Sequence, residues 1–356
     1  MHTALIADNA WLADELGMFR FLVVGLLGEQ VRVAQVVPEG TGESVTSAFG
    51  ARLTWQDRRH DLLRRHQLAG LVPALDELQV GVLHALDGRV WSGALKIARK
   101  LQVPVVLNLA SAADLDRLVP LRRQLSGMRA GFAAATTVLA EAAQPMVPES
   151  VPVELVAPGA QVPPAPNVAP GDRSLCIVIT GDGTFDDDVR ALLEALAVFV
   201  ADEPDALLFL DCPGRDTRDL WQAVQQYGLL HQASMIPSNT DHRRLLIGAH
   251  LLIQPQALGR ARSMTLQAMA CGIPVMARED PWLDYLIDGE TAWVTAKSDV
   301  STWLEMIRRH DGPAARRLTE SARDWVRRHH LAARLVDRTV DLYRKLTGEA
   351  YRFPDG

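Results

Sequence analysis

The chain has 356 residues, 48% of them hydrophobic and 22% charged, with a formal net charge of −6. That length suggests two domains with a sizeable core, and the acidic balance argues against a nucleic-acid binder, which would carry a basic excess. Three widely spaced cysteines, Cys176, Cys212 and Cys271, fit neither a metal nor a disulfide framework and point to a reducing compartment.

The start, MHTALIADNAWLADELGMF, has no basic region ahead of an apolar run, so a secretory signal is not expected. Apolar runs fall short of the ~18 residues that a membrane span needs. The expected setting is cytoplasmic. From there, short apolar runs alternate with longer amphipathic stretches. The spacing predicts strands at 4–7, 31–37, 53–55, 80–83, 103–109, 136–139 and 153–156. Helices are predicted at about 11–28, 58–78, 91–101 and 114–130. The stretches 80–83 and 103–109 are almost wholly apolar, as strands covered on both faces should be. Such alternation reads as a parallel, doubly wound sheet.

The segment VAPGAQVPPAPNVAPGDR, residues 156–173, is rich in proline and glycine and has no periodicity, which marks a domain boundary. Strands are then expected at 175–180, 206–210, 251–253 and 273–277, with helices at 186–201, 217–227, 266–271, 300–310, 313–329 and 331–346. The expected division is residues 1–165 and 166–330, with the final helix, 331–356, packing back on the first domain. The fold class is therefore α/β, two Rossmann-like doubly wound domains, with ligands expected in a cleft lined by strand ends.

The stretch QAMACGIPVMAREDPWLDYLIDGETAWV, from Gln267 to Val294, is the most specific motif. A small-residue helix turns at Gly272, meets Pro274 and enters an apolar strand, and a loop with Asp288, Gly289 and Glu290 follows. Helix amides beside glycine turns suit a phosphorylated ligand. The stretch resembles the signature of group 1 (family 4) glycosyltransferases of GT-B architecture. Their pattern runs Glu, a seven-residue spacer, Glu-Ala-Met-Ala-Cys-Gly-x-Pro-Val, and later Asp-Gly-Glu-Thr-Gly. Here Gly259 and Gln267 stand at the two glutamate positions, so the acids are replaced. The resemblance spans nearly the whole chain in element order, but its specific motifs lie in about residues 255–294.

The resemblance implies a nucleotide-diphosphate sugar as co-substrate, an unknown acceptor, a retaining transfer and no cofactor or metal. Positive charge and helix amides should hold the diphosphate. Arg260 and Arg262 precede the motif helix, with Ser263 as its expected N-cap and Thr265 in its first turn. Arginines there oppose the macrodipole by about 0.3–1 kcal/mol each unless an anion binds. The loop Thr180-Gly181-Asp182-Gly183-Thr184-Phe185-Asp186-Asp187-Asp188 replaces the family's basic loop and has no basic residue. Its glycines allow close approach of a ligand, and its aspartates either cap the following helix or bind Mg²⁺. Gln267 keeps a donor and an acceptor for a ribose hydroxyl but loses charge-assisted strength. Asp288 and Glu290 complete the expected donor pocket.

On the acceptor side the candidates are Asn9, His84, Asp87 and Asn108, each near an expected strand end. A histidine such as His84 serves equally as a structural hydrogen-bonder. The helix carrying Arg58, Arg59, Arg64 and Arg65 with Leu62, Leu63 and Leu68 is either a solvated face or a peripheral membrane contact. Trp282 and Tyr285 either stack on a ligand or pack in a core. No general base is assignable from the residues. Two functions remain open: a glycosyltransferase with an altered donor site, and a catalytically silent relative that uses the scaffold for binding.

Overall fold

The structure, a computed structural model, describes residues 1–41, 50–58, 60–166, 174–212, 217–237 and 242–348. Arg59 and the end of the proline-rich segment, 167–173, lie outside the described residues. The chain divides into two compact units, Met1–Gly159 with Ala332–Gly356, and Ala160–Leu331. The sequence pattern places this division at residue 165, six residues later than the structure does. The segment before Pro166 belongs to the second unit because it is bonded there: Ala160 N–H donates to His330 O at 2.7 Å, and Arg323 donates to Pro163 O.

The first unit contains β1 (His2–Ile6), α1 (Asn9–Gly28), β2 (Arg32–Pro38), β3 (Ala51–Trp55), α2 (Asp61–Ala69), α3 (Val72–Glu77), β4 (Val82–Ala85), α4 (Trp91–Leu101), β5 (Val105–Leu109), α5 (Ala112–Leu125), β6 (Ala130–Ala134), α6 (Thr137–Ala143) and β7 (Val153–Leu155). The second contains β8 (Cys176–Thr180), α7 (Asp187–Asp202), β9 (Leu207–Asp211), α8 (Arg218–Gln226), β10 (Ala233–Met235), α9 (His242–Ile247), β11 (Leu251–Gln254), α10 (Ser263–Cys271), β12 (Val275–Arg278), β13 (Trp293–Thr295), α11 (Val300–Ile307) and α12 (Gly312–His329). The last helix, α13 (Ala332–Thr347), returns to the first unit.

Both sheets are parallel. The first has the order β3-β2-β1-β4-β5-β6-β7 and the second β10-β9-β8-β11-β12-β13. In each the order reverses once, between β1 and β4 and between β8 and β11. Chain crossovers leave opposite ways at that point and open a crevice at the carboxyl ends of the strands. The central strands are buried throughout, β5 and β6 at every position, because helices cover both faces.

Helix α13 packs on α1, β5 and β6. Small residues allow it: a Cβ on Gly25 would lie 2.3 Å from Val336 Cγ2, and one on Gly131 would lie 3.2 Å from Leu342 Cδ1. The expected strand at 136–139 is instead the start of α6. Thr136 caps that helix, its side chain accepting from Leu139 N–H at 3.2 Å, and the strand is Ala130–Ala134, a run of small residues around Phe132 with low intrinsic strand preference. The expected long helix over 58–78 is two helices, α2 and α3, which the Gly70 turn separates. The short strands β10 and β13 and helix α9 have too few residues to show a period.

Candidate functional site

In the second unit the switch point lies between Thr180, which ends β8, and Gln254, which ends β11. Gly181 follows at once, its N–H donating to Asp211 O at 3.2 Å. Gln256, 2% exposed, fixes the loop after β8. It accepts from Asp182 N–H at 3.3 Å and donates to Asp186 Oδ2 at 2.6 Å. A Cβ on Gly181 would come 2.7 Å from Gln256 Oε1, so the approach needs glycine. Gly183 adopts φ +89°, a region in which a side chain strains the backbone.

Arg262 reaches into this crevice. It is 4% exposed, and its guanidinium donates to Thr180 Oγ1 and, at 3.0 Å, to Gly181 O. Its backbone N–H donates to Tyr285 Oη at 3.2 Å. Arg262 is also the N-cap residue of α10, a helix with no side-chain cap. Ser263 is therefore the first helical residue and not the cap, and the amides of the first turn are not taken by a side-chain cap. Thr265 is fully buried and donates to Gln254 Oε1 at 3.1 Å. Arg260 is half-buried on the same turn. Beside this group, burial pushes the Cys212 thiol up to about 12 against the pull of the Arg262 charge.

The two replaced acid positions have local explanations. Gly259 adopts φ +58°, and its N–H donates to the buried Asp280 Oδ2 at 2.7 Å. Asp280 Oδ1 takes Trp282 N–H at 3.1 Å, so one carboxylate pins the turn after β11 and the turn after β12. Gln267 closes a two-bond ring with the backbone of Gln161: Nε2 donates to Gln161 O at 2.8 Å, and Oε1 accepts Gln161 N–H at 3.1 Å. Its amide is thus committed within the unit.

The aspartates after β8 organise α7. Asp186 is its N-cap, accepting Val189 N–H at 2.9 Å, while Asp187 pairs with Arg190 at 2.7 Å and Asp188 with Arg278 at 3.6 Å. No group of His, Cys, Asp or Glu among the described residues is placed to hold a metal ion. Asp288 and Glu290 are exposed on the turn that precedes β13, at that strand's beginning, whereas Gly181 and Arg262 follow strand ends. Asp288 Oδ1 accepts Val294 N–H at 2.9 Å. The structure therefore gathers Gly181, Gly183, Arg262, Ser263 and Thr265 but not Asp288 and Glu290. Tyr285 is a core residue, packed edge-on against His330 with centroids 5.9 Å apart.

In the first unit the switch point carries a cluster of charged side chains, of which the sequence analysis names only Asp87 for the site. Asp8, fully buried after β1, accepts Trp11 N–H at 2.8 Å and pairs with Arg89 Nε at 2.8 Å. Arg89 also meets Asp87 Oδ1 at 3.0 Å, after β4. Burial, reinforced by Asp87, raises Asp8 to about 6, although Arg89 opposes it. Asp114 is raised for the same two reasons while it accepts Ala110 and Ser111 N–H at the start of α5. Beside them Arg64, 7% exposed, pairs with Asp57 at 3.0 Å. The available signal was a run of polar residues at each strand end: Asp8 after β1, Asp57 after β3 and Asp87-Gly88-Arg89 after β4.

Of the expected acceptor-side residues, Asp87 belongs to this cluster. Asn9 is exposed on α1, its N–H donating to Asp57 Oδ2 at 3.3 Å. Asn108 is buried on β5, donating to Leu86 O at 3.4 Å. His84 leaves the site: β4 runs on to Ala85, which puts His84 inside the strand and in the core. Its Nδ1 lies 2.7 Å from Tyr343 Oη of α13, and burial lowers its pKa to about 3.

No family model matches the sequence, and no curated protein matches it. Solved structures do. HepE of Anabaena in complex with UDP-glucose is 12% identical, covering 97% of this chain and 100% of that chain with a TM-score of 0.73. Sucrose-phosphate synthase of Thermosynechococcus elongatus is 17% identical, covering 98% and 100% with a TM-score of 0.74. A putative UDP-N-acetylglucosamine 2-epimerase of Listeria monocytogenes is 13% identical, covering 100% and 99% with a TM-score of 0.68. The fold is that of the GT-B glycosyltransferases, two Rossmann-like units. No helix among the described residues is long and apolar enough to cross a membrane.

Proposed function

We propose that the chain is a nucleotide-sugar-dependent glycosyltransferase whose donor diphosphate binds at the switch point of the second sheet. One observation carries this reading. The buried Arg262 charge lies between the end of β8 and the uncapped start of α10, beside a glycine turn. A fixed cation with helix amides in a low-dielectric crevice favours a diphosphate and stabilises it as a leaving group. Arg260 on the same turn adds a second charge. The likeness to HepE, whose structure holds UDP-glucose, supports the same ligand class. Transfer with retention of configuration is the finer expectation from the motif.

A second reading has its own support. The Arg262 fork already serves Thr180 and Gly181, and the Gln267 amide already serves Gln161. A silent relative would use these groups as structure alone. Calorimetric titration with a panel of nucleoside diphosphates decides. The transferase reading expects micromolar binding of one of them, weakened at least tenfold by Arg260→Ala. Heat-silent titrations across the panel, with a folded protein, would leave only the scaffold role.

A further inference from the structure

The turn after β8 spends its backbone donors on the protein itself. Gly181 N–H donates to Asp211 O at 3.2 Å, Asp182 N–H to Gln256 Oε1 at 3.3 Å and Thr184 N–H to Asp182 Oδ1 at 2.8 Å, while Gly183 N–H is directed at the Cys212 sulfur. An anion-binding nest needs successive amides turned together towards the ligand. These amides are all engaged, so the glycine turn is not such a nest. What it offers is acceptors: Thr180 Oγ1 and Gly181 O both take the Arg262 guanidinium. The turn serves a bound anion by holding a cation.

One buried side chain fixes that turn at both ends. Gln256 Oε1 takes the Asp182 N–H at its start, and Nε2 donates to Asp186 Oδ2 at 2.6 Å at its end. The other Asp186 oxygen caps α7, so the same amide joins the turn to that helix. Beneath the turn the remaining lining is largely apolar, with Ile179, Leu192, Leu210 and Leu220. An amide meets both needs there, an acceptor for an N–H and a donor for a carboxylate.

We propose that Gln256 is a positioning residue of the donor site. It sets the turn on which the Arg262 fork sits, and through that fork it sets the affinity for a diphosphate. This inference rests on the transferase reading above. A carboxylate at position 256 would face the Asp186 carboxylate, which repels it and leaves the turn without its tie. Exchanging the two groups restores one donor, one carboxylate and the net charge of the parent.

The test is calorimetric titration of the full chain with inorganic pyrophosphate, the group common to nucleoside-diphosphate donors, and with UDP in parallel. Each variant is titrated well below its own thermal midpoint. Gln256→Met, which removes the bonds without adding charge, and Gln256→Glu should each weaken pyrophosphate at least about tenfold. The double variant Gln256→Glu, Asp186→Asn should return to within about threefold of the parent. Parent-like affinity in Gln256→Met overturns the proposal, because the Gln256→Glu effect is then charge alone. A double variant as weak as Gln256→Glu overturns it too. So does a lowered thermal midpoint with affinity kept, which would make Gln256 a folding residue only. A parent that binds neither pyrophosphate nor any nucleoside diphosphate defeats the transferase reading and this inference with it. Binding by the parent that Gln256→Met leaves intact defeats this inference alone.

Discussion

The guanidinium of Arg262 donates to the carbonyl oxygen of Gly181 at 3.0 Å, tying the start of α10 to the turn after β8. Because the side chain is 4% exposed, its removal leaves buried acceptors without a donor. Arg262→Ala should therefore cost about 1–3 kcal/mol in urea unfolding and weaken nucleoside-diphosphate binding at least tenfold. Arg262→Lys keeps the charge but not the fork, so it should recover binding in part and stability hardly at all. Full stability in the alanine variant would show that the guanidinium bonds are not what holds the turn.

Gln267→Glu restores the acid of the glycosyltransferase motif and tests whether structure or ligand holds that position. The amide Nε2 now donates to Gln161 O at 2.8 Å, and a carboxylate in its place is an acceptor facing an acceptor. The expected outcome is a lower thermal midpoint, with a loss of about 1–3 kcal/mol. A midpoint at or above that of the parent would mean the Gln161 ring is dispensable.

Tyr343 and His84 hold α13 on the first sheet, with Nδ1 and Oη 2.7 Å apart and both side chains buried. Tyr343→Phe keeps the ring packing and removes one hydroxyl. It should cost about 1–3 kcal/mol, since a neutral imidazole nitrogen is left in the core without its partner. Chemical denaturation measures it. A change within error would place the partner of His84 elsewhere.

The pH dependence of stability combines two opposed groups. His84 falls from 6.5 to about 3 on folding, so the unfolded chain binds the extra proton and stability is lost as pH drops below about 6.5. Asp8 rises from 3.8 to about 6, so the native state binds the proton and stability is gained as pH drops through 6. Between pH 6 and 4 the two slopes oppose each other. Asp8→Asn should steepen the acid loss there by up to about 1.4 kcal/mol per pH unit, and His84→Leu should reverse the slope difference. Identical pH profiles for parent and Asp8→Asn would refute the assignment.

Strand–helix alternation, the length of the chain and the Pro/Gly boundary made both doubly wound sheets legible in advance. The reason is that strands buried on both faces must be uniformly apolar, as in Val105–Leu109. Helix α10 and its turn at Gly272 were equally legible, because a left-handed helix end asks for glycine. Short elements are not legible: Ala130–Ala134 has little β character, and Thr136–Leu139 has strand-like composition although the Thr136 hydroxyl caps a helix.

Sequence by itself determined the class of fold and the replacement of both motif acids, and it named Gly181, Gly183, Arg262 and Thr265 for one pocket, though together with Asp288 and Glu290, which the structure puts elsewhere. Local pattern suffices there, since period, turn chemistry and composition act over a few residues. Only the tertiary structure decided where the side chains are spent. Gly259 answers to Asp280, Gln267 to Gln161, His84 to Tyr343, and Asp8 to an arginine across the sheet switch point. These pairs are separated by 21 to 259 residues of chain, and a hydrogen bond or an ion pair is set by distance in space, which no local pattern encodes.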